Sequence, residues 1–215
     1  MQQGTNLSYS VRYLLKVGGL SSLISADYSQ KIDEAIDLLF DAWKEERWVY
    51  IMGNGGSAST ATHLSADLAK TICEKPGDRG IKTMSMFDNV PMISALINDW
   101  GWDEVYLRQL DTYYENGGVG IGISVHGGSG GDKAGKWSQN LLKGLQYIKD
   151  RGGKTIGLVG FDGGVMKDLV DIAIVIPINS TPLVESFHVV LQHLIVFGLK
   201  EKIHAYKNTN GFSRS

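Results

Sequence analysis

The chemically suggestive part of the chain begins at Gly53-Asn54-Gly55-Gly56-Ser57, a glycine loop that follows an apolar run and leads into Ala58-Ser59-Thr60-Ala61-Thr62. Glycines let the backbone turn sharply and approach a ligand, and the free N–H groups of a helix start attract an anion. The chemistry implied is phosphate binding. A second hydroxyl-rich loop, Ser124-Val125-His126-Gly127-Gly128-Ser129-Gly130-Gly131, also closes an apolar run and leads into a helical stretch. Two such loops at the carboxyl ends of neighbouring strands face one crevice and can hold phosphate from both sides. Each alone reads better as a tight strand-to-helix turn; together they favour a ligand. Neither is a dinucleotide fingerprint, because G-x-G-x-x-G is absent, nor a Walker loop, because no G-K-[ST] follows. His63 and Asp67 follow the first loop four residues apart, so on a helix they share one face, as a metal pair or an acid/base pair requires.

Positioning these residues needs strands that stop at the loops and helices that start from them. Short apolar runs at 48–52, 82–86, 119–123, 154–160 and 172–177 read as buried strands. Helical spacing occupies 57–72, 91–98, 103–114, 133–150 and 181–203. Strands apolar on both faces belong to parallel sheets covered by helices on both sides, so the fold class is a doubly wound α/β fold. Residues from about 8 to 46 read as two helices, an N-terminal hairpin. One domain over 1–205 is expected, followed by a mobile polar tail from Tyr206 to Ser215.

Composition narrows the function classes. The 215 residues carry a net charge of −2, which leaves no basic footprint for nucleic acid. The single cysteine, Cys73, can make neither an internal disulfide nor a cysteine-type zinc site, and reads as a small buried residue in a reducing compartment. The N-terminus has no leader-like basic and apolar stretch, and no run reaches the ~18 apolar residues of a membrane span. A cytoplasmic protein without a membrane partner is expected. The outlying number is 27 glycines, nine of them between positions 117 and 135.

The ordered set of the 53–57 loop with His63 and Asp67, then Asn98-Asp99, the serine loop, and Gly160-Phe161-Asp162-Gly163-Gly164 resembles the sugar isomerase (SIS) domain, in particular its phosphoheptose isomerase branch. The resemblance covers most of the chain. It implies a five-stranded parallel sheet, a homotetramer with active sites between subunits, zinc, and conversion of sedoheptulose 7-phosphate to the aldose heptose 7-phosphate. By motif, Ser57, Ser124 and Ser129 fall on phosphate-binding serines, with Gly55 and Gly56 beside them, and Asn54, Asn98 and Asp99 on the sugar site. His63 and Asp67 fall where the family places a histidine ligand and a glutamate that is both ligand and base. Glu185 and His193 fall on a glutamine ligand and a catalytic, metal-binding histidine. These last two are eight residues apart, roughly one helix face, and two nitrogens with two carboxylates suit zinc. Asp67 and His193 are thus the implied catalytic pair.

The chain departs from this pattern in the shorter Asp67, in Glu185 for glutamine, and in Val125-His126 where hydroxyls are usual; His126, Lys133 or Lys136 could restore the phosphate grip. Two other readings stay open: a non-catalytic SIS module binding a sugar phosphate or a partner protein, as in replication-initiator-binding relatives, and an isomerase of another sugar phosphate. Among the remaining residues, His188 reads as core packing, His204 as solvated, Asp162 as a turn residue or a substrate contact, and Asp99 alternatively as a helix cap. Trp100 and Trp102 read as packing between subunits or closing a pocket.

Overall fold

The computed structural model describes residues 7–129 and 137–209. Helix α1 (Tyr9–Lys44) precedes strand β1 (Val49–Gly53), helix α2 (Gly56–Ala66), strand β2 (Thr83–Ser85), and helices α3 (Val90–Trp100) and α4 (Val105–Tyr113). Strand β3 (Val119–Ser124), helix α5 (Gln139–Asp150), strand β4 (Lys154–Gly160), the short helix α6 (Met166–Leu169), strand β5 (Ile172–Ile176) and helix α7 (Thr181–Thr209) complete the order. All strand pairs are parallel, in the order β2-β1-β3-β4-β5. The five apolar runs read from the sequence are these five strands.

Alternation along each strand feeds two cores. Val49, Ile51, Val119, Ile121, Ile156 and Leu158 point to the layer of α1, α2 and α7. Tyr50, Met52, Val159 and Val175 point to the opposite layer, with Tyr106 and Leu110 of α4 and Leu141, Leu145 and Ile148 of α5. Chain direction reverses across the sheet between β1 and β3: β1 leads outward to β2, whereas β3 leads the other way to β4 and β5. In open parallel sheets this switch point opens a crevice beyond the strands' carboxyl ends. The two glycine loops leave the sheet there.

The N-terminal hairpin expected from the sequence is instead one helix of 36 residues. Ser8 caps its start by accepting from the Val11 N–H at 3.4 Å. Gly18 and Gly19 weaken a helix interior by about 1 kcal/mol each. They do not break it, because Leu20, Ile24 and Ile32 anchor the continuing helix in the core; the Ser21 and Ser22 hydroxyls donate back to the carbonyls of Val17 and Gly18, four residues earlier. The tail boundary also moves. α7 runs to Thr209, and the Tyr206 ring packs edge-on against Phe40 and Trp43, so Tyr206 is part of the core's rim. α7 is long and apolar enough to cross a membrane, but half of its most apolar window is buried, and the helix packs chiefly against α1 and α2.

Candidate active site

Gly53 ends β1, and the chain then turns so tightly that a side chain at Gly53 would stand 2.3 Å from the Ser57 carbonyl oxygen. Only glycine fits there. The turn is fixed from below by Asn54, whose amide exchanges two hydrogen bonds with Asn140: Asn54 Nδ2 donates at 3.0 Å and Asn140 Nδ2 donates back at 2.9 Å. Asn140 Oδ1 also accepts from the Leu141 N–H, tying the loop to the start of α5. The Tyr106 hydroxyl donates to the Gly53 carbonyl, and burial pushes its pKa well above the ordinary phenol value, so it stays a donor. Asn54 therefore organises the loop from inside the fold.

The second loop is docked on the turn after β4. Gly127 has φ +67°, and a side chain there would meet the Gly163 carbonyl oxygen at 1.9 Å. The Met166 N–H donates to the Gly127 carbonyl and the Gly127 N–H to Ser124 Oγ. Phe161, itself at φ +55°, presses its ring on His126 at 4.2 Å, and Trp137 covers His126 from another side at 4.8 Å. A bulky residue in a left-handed conformation is costly and persists where the surroundings over-determine it, a condition that recurs at ligand sites. Between the loops lies a cleft of about 180 Å³ lined by Asn54, Ser57, Ser124, His126, Ser138 and Glu185, among others. Ser129 does not line it; it is buried, and its hydroxyl accepts from the Trp137 N–H at 2.9 Å. Lys133 and Lys136, candidates from the sequence, lie outside the described residues.

Helices α2 and α7 pack side by side. Glu185 meets Gly56 at one level, and further along both helices His193 meets His63 and Asp67. One donor atom from each of His63, Asp67 and His193 lies within 4.8 Å of the others. Asp67 Oδ2 is 3.4 Å from His63 Nε2 and 3.9 Å from His193 Nε2, and the two rings stand edge to face at 5.1 Å. Ligands of tetrahedral zinc are about 3.3 Å apart, so two imidazoles and a carboxylate at these spacings fit such an ion after slight contraction. At Asp67 the helix widens into a π-helical turn, Asp67–Thr71, a distortion frequent at functional sites. It lets Thr71 Oγ1 donate to Asp67 Oδ1 at 2.8 Å, while Gln192 Nε2 donates to Oδ2 at 3.1 Å.

The four expected metal ligands thus separate. His63, Asp67 and His193 converge, whereas Glu185 stands at the glycine-loop end, lining the cleft. Asn98 and Asp99 do not line that cleft; both are exposed at the end of α3, where Asn98 donates to Asp99 at 2.8 Å. Asp99 caps no helix. Asp162 accepts from the Gly164 N–H, holding the turn after β4. His188 is buried with no exposure, in keeping with packing. His204 is exposed, within 3.8 Å of Glu74. Phe87 packs on Trp102 at 6.1 Å within the chain, and Trp100 is 59% exposed. Three residues escaped the sequence reading: Gln192, Asn140 and Tyr106. Gln192 was signalled only by its place beside His193; nothing in the sequence marked the other two.

Residues 12–160 match the SIS domain family. The chain is 33% identical over 179 residues to the phosphoheptose isomerase of Helicobacter pylori strain P12, a match taking in 83% of this chain and 87% of that protein. It is 42% identical over 162 residues to the lincomycin biosynthesis protein LmbN of Streptomyces lincolnensis, but spans only 58% of LmbN's length. In structure it is similar to the phosphoheptose isomerase of Francisella tularensis, with TM-score 0.81 at 18% identity, covering 92% of this chain and all of that one. The Neisseria gonorrhoeae enzyme superposes with TM-score 0.78 at 20% identity, covering 89% of this chain and 97% of that chain. A family match across most of the sheet, and identity to phosphoheptose isomerases along four fifths of the sequence, make this chain a member of the SIS-domain family in its phosphoheptose isomerase branch.

Proposed function

We propose that the chain is an aldose–ketose isomerase that converts sedoheptulose 7-phosphate to glycero-manno-heptose 7-phosphate through an enediolate. The observation that carries this is the placement of a serine-lined cleft and a His-Asp-His cluster at two levels of the same helix pair. His63 follows Ser57 by six residues, which is about 9 Å along a helix. That is the order of the distance from carbonyl to phosphate in an extended seven-carbon sugar phosphate.

In this reading Ser57, Ser124 and the N–H groups opening α2 hold the phosphate, with Gly55 and Gly56 allowing its approach. Asp67, shielded in the groove between α2 and α7, removes the proton from C1 of the ketose. His193, nearly half exposed, carries a proton between O1 and O2, and return of the carbon-bound proton to C2 completes the aldose. His63, Asp67 and His193 would hold zinc, which when bound polarises the sugar carbonyl.

The same reading makes the protein a cytoplasmic homotetramer with sites completed between subunits. Two observations support it: the apolar residues exposed on α1 and α7, among them Leu14, Leu15, Val190, Leu194 and Phe197, and the position of Asn98 and Asp99 outside their own chain's cleft. A second reading, isomerisation of another sugar phosphate, is supported by the identity to LmbN, whose name places it in lincomycin biosynthesis.

The test is incubation of the zinc-loaded protein with sedoheptulose 7-phosphate in D2O, followed by NMR. Exchange of a C1 proton of the ketose and appearance of the aldose carrying deuterium at C2 are expected, lost after treatment with a chelator and restored by zinc. Absence of exchange with folded, zinc-loaded protein overturns the proposal, and exchange on a different sugar phosphate only would select the second reading.

A further inference from the structure

Asp67 is held at both carboxylate oxygens by side chains of this chain, Thr71 on Oδ1 and Gln192 on Oδ2. The last torsion of an aspartate is soft, with broad and roughly two-fold preferences. A single donor leaves the carboxylate free to swing about that bond, whereas one donor on each oxygen fixes its plane. Thr71 is a local partner, four residues on in the same π-helical turn. Gln192 is not: it comes from α7, 125 residues away in sequence.

Gln192 has a second peculiarity. It is fully buried, and its Oε1 has no hydrogen-bond partner. A buried amide with half of its capacity unused destabilises a fold relative to an apolar side chain of the same shape. Packing alone therefore gives no reason for a glutamine at this position. Its Nε2 supplies one: the bond to Asp67 Oδ2 holds that oxygen where His63 Nε2 and His193 Nε2 both face it, at 3.4 and 3.9 Å. α7 thus delivers, from consecutive residues, an imidazole to the cluster and the donor that aims the carboxylate at it.

We propose that Gln192 is a positioning residue for Asp67, orienting its carboxylate for zinc capture and for proton abstraction. The kinetic part rests on the isomerase reading; the orientation of Asp67 does not.

The test compares wild type with Gln192→Met, which keeps the length and apolar volume but removes the donor, and with the smaller Gln192→Leu, which guards against overpacking. Three quantities are measured: zinc affinity by competition with a chromophoric chelator, kcat and KM on sedoheptulose 7-phosphate, and Tm. Loss of an outer partner of a metal ligand typically costs 10–100-fold in affinity or activity. Zinc affinity and kcat are each expected to fall at least about tenfold. KM should stay nearly constant, and Tm of the metal-free protein should hold or rise. A lowered Tm with zinc affinity and kcat unchanged overturns the proposal, since that is the signature of a merely structural glutamine. If wild type does not turn over the sugar, the isomerase reading fails by itself, and unchanged zinc affinity in both variants then overturns the positioning role.

Discussion

Glu185 lies so close to Gly56 that a methyl group on that glycine would stand 2.6 Å from Glu185 Oε1. The carboxylate occupies the N-terminal end of α2, where the positive end of the helix dipole favours an anion. On the proposed reading it would compete with the substrate's phosphate for the same end of the cleft.

Glu185→Gln should relieve this competition. Removing a like charge a few ångströms from the bound phosphate is worth about 1 kcal/mol in screened surroundings, or roughly a fivefold lower Kd. Calorimetric titration with sedoheptulose 7-phosphate measures it. Because Glu185 stands apart from the His63, Asp67 and His193 cluster, zinc content should not change. A variant that binds sugar phosphate no more tightly would show no competition, and one that loses its zinc would place the carboxylate at the metal instead.

The reciprocal amides of Asn54 and Asn140 carry a prediction about stability. Asn140 has no exposure, and Asn54→Ala strips it of both interactions with the loop. An unsatisfied buried amide costs about 1–3 kcal/mol. At about 2–4 °C per kcal/mol for a chain of this size, Tm should drop measurably by calorimetry. Removing both partners, in Asn54→Ala with Asn140→Ala, should cost clearly less than the two single losses added together. Strict additivity would mean that the two amides do not act as a pair.

What the sequence made legible follows from the range of the interactions involved. The strands were readable because a parallel sheet buried on both faces demands unbroken apolar runs, and Val49–Gly53 or Ile172–Ile176 can hardly be anything else. The His63 and Asp67 pair was readable because helical spacing is local. Gln192 with Asp67, and Asn54 with Asn140, were not, since 125 and 86 residues separate the partners and no pattern announces such pairings. Glu185 was misplaced for a related reason: helical spacing put it on His193's face, but eight residues of rise carry it to the other end of the groove. The glycine excess also has more than one cause. Gly120 and Gly122 serve packing, since side chains there would stand 2.7 Å from Ile148 and Leu145 of α5. The N-terminal hairpin gives way to one helix because the core contacts of Leu20 and Ile24 carry it past Gly18 and Gly19.

His188 is expected to make the fold sensitive to acid. Its ring has no exposure, and burial pushes its pKa down to about 4; the Val159 carbonyl partly opposes this, though neither ring nitrogen completes a hydrogen bond. Above the unfolded value of about 6.5 the ring is neutral in both states and exerts no pH effect. Below that value the unfolded chain binds a proton that the native protein refuses, so stability falls as pH drops from about 6.5 towards 4. A shift of this size corresponds to about 3 kcal/mol, lost across that window. Urea unfolding of the metal-free protein at a series of pH values measures the slope. His188→Leu leaves no group to protonate and no unpartnered nitrogen, so its stability should decline less steeply over the same range. An equal decline in variant and wild type would assign the acid sensitivity to other groups.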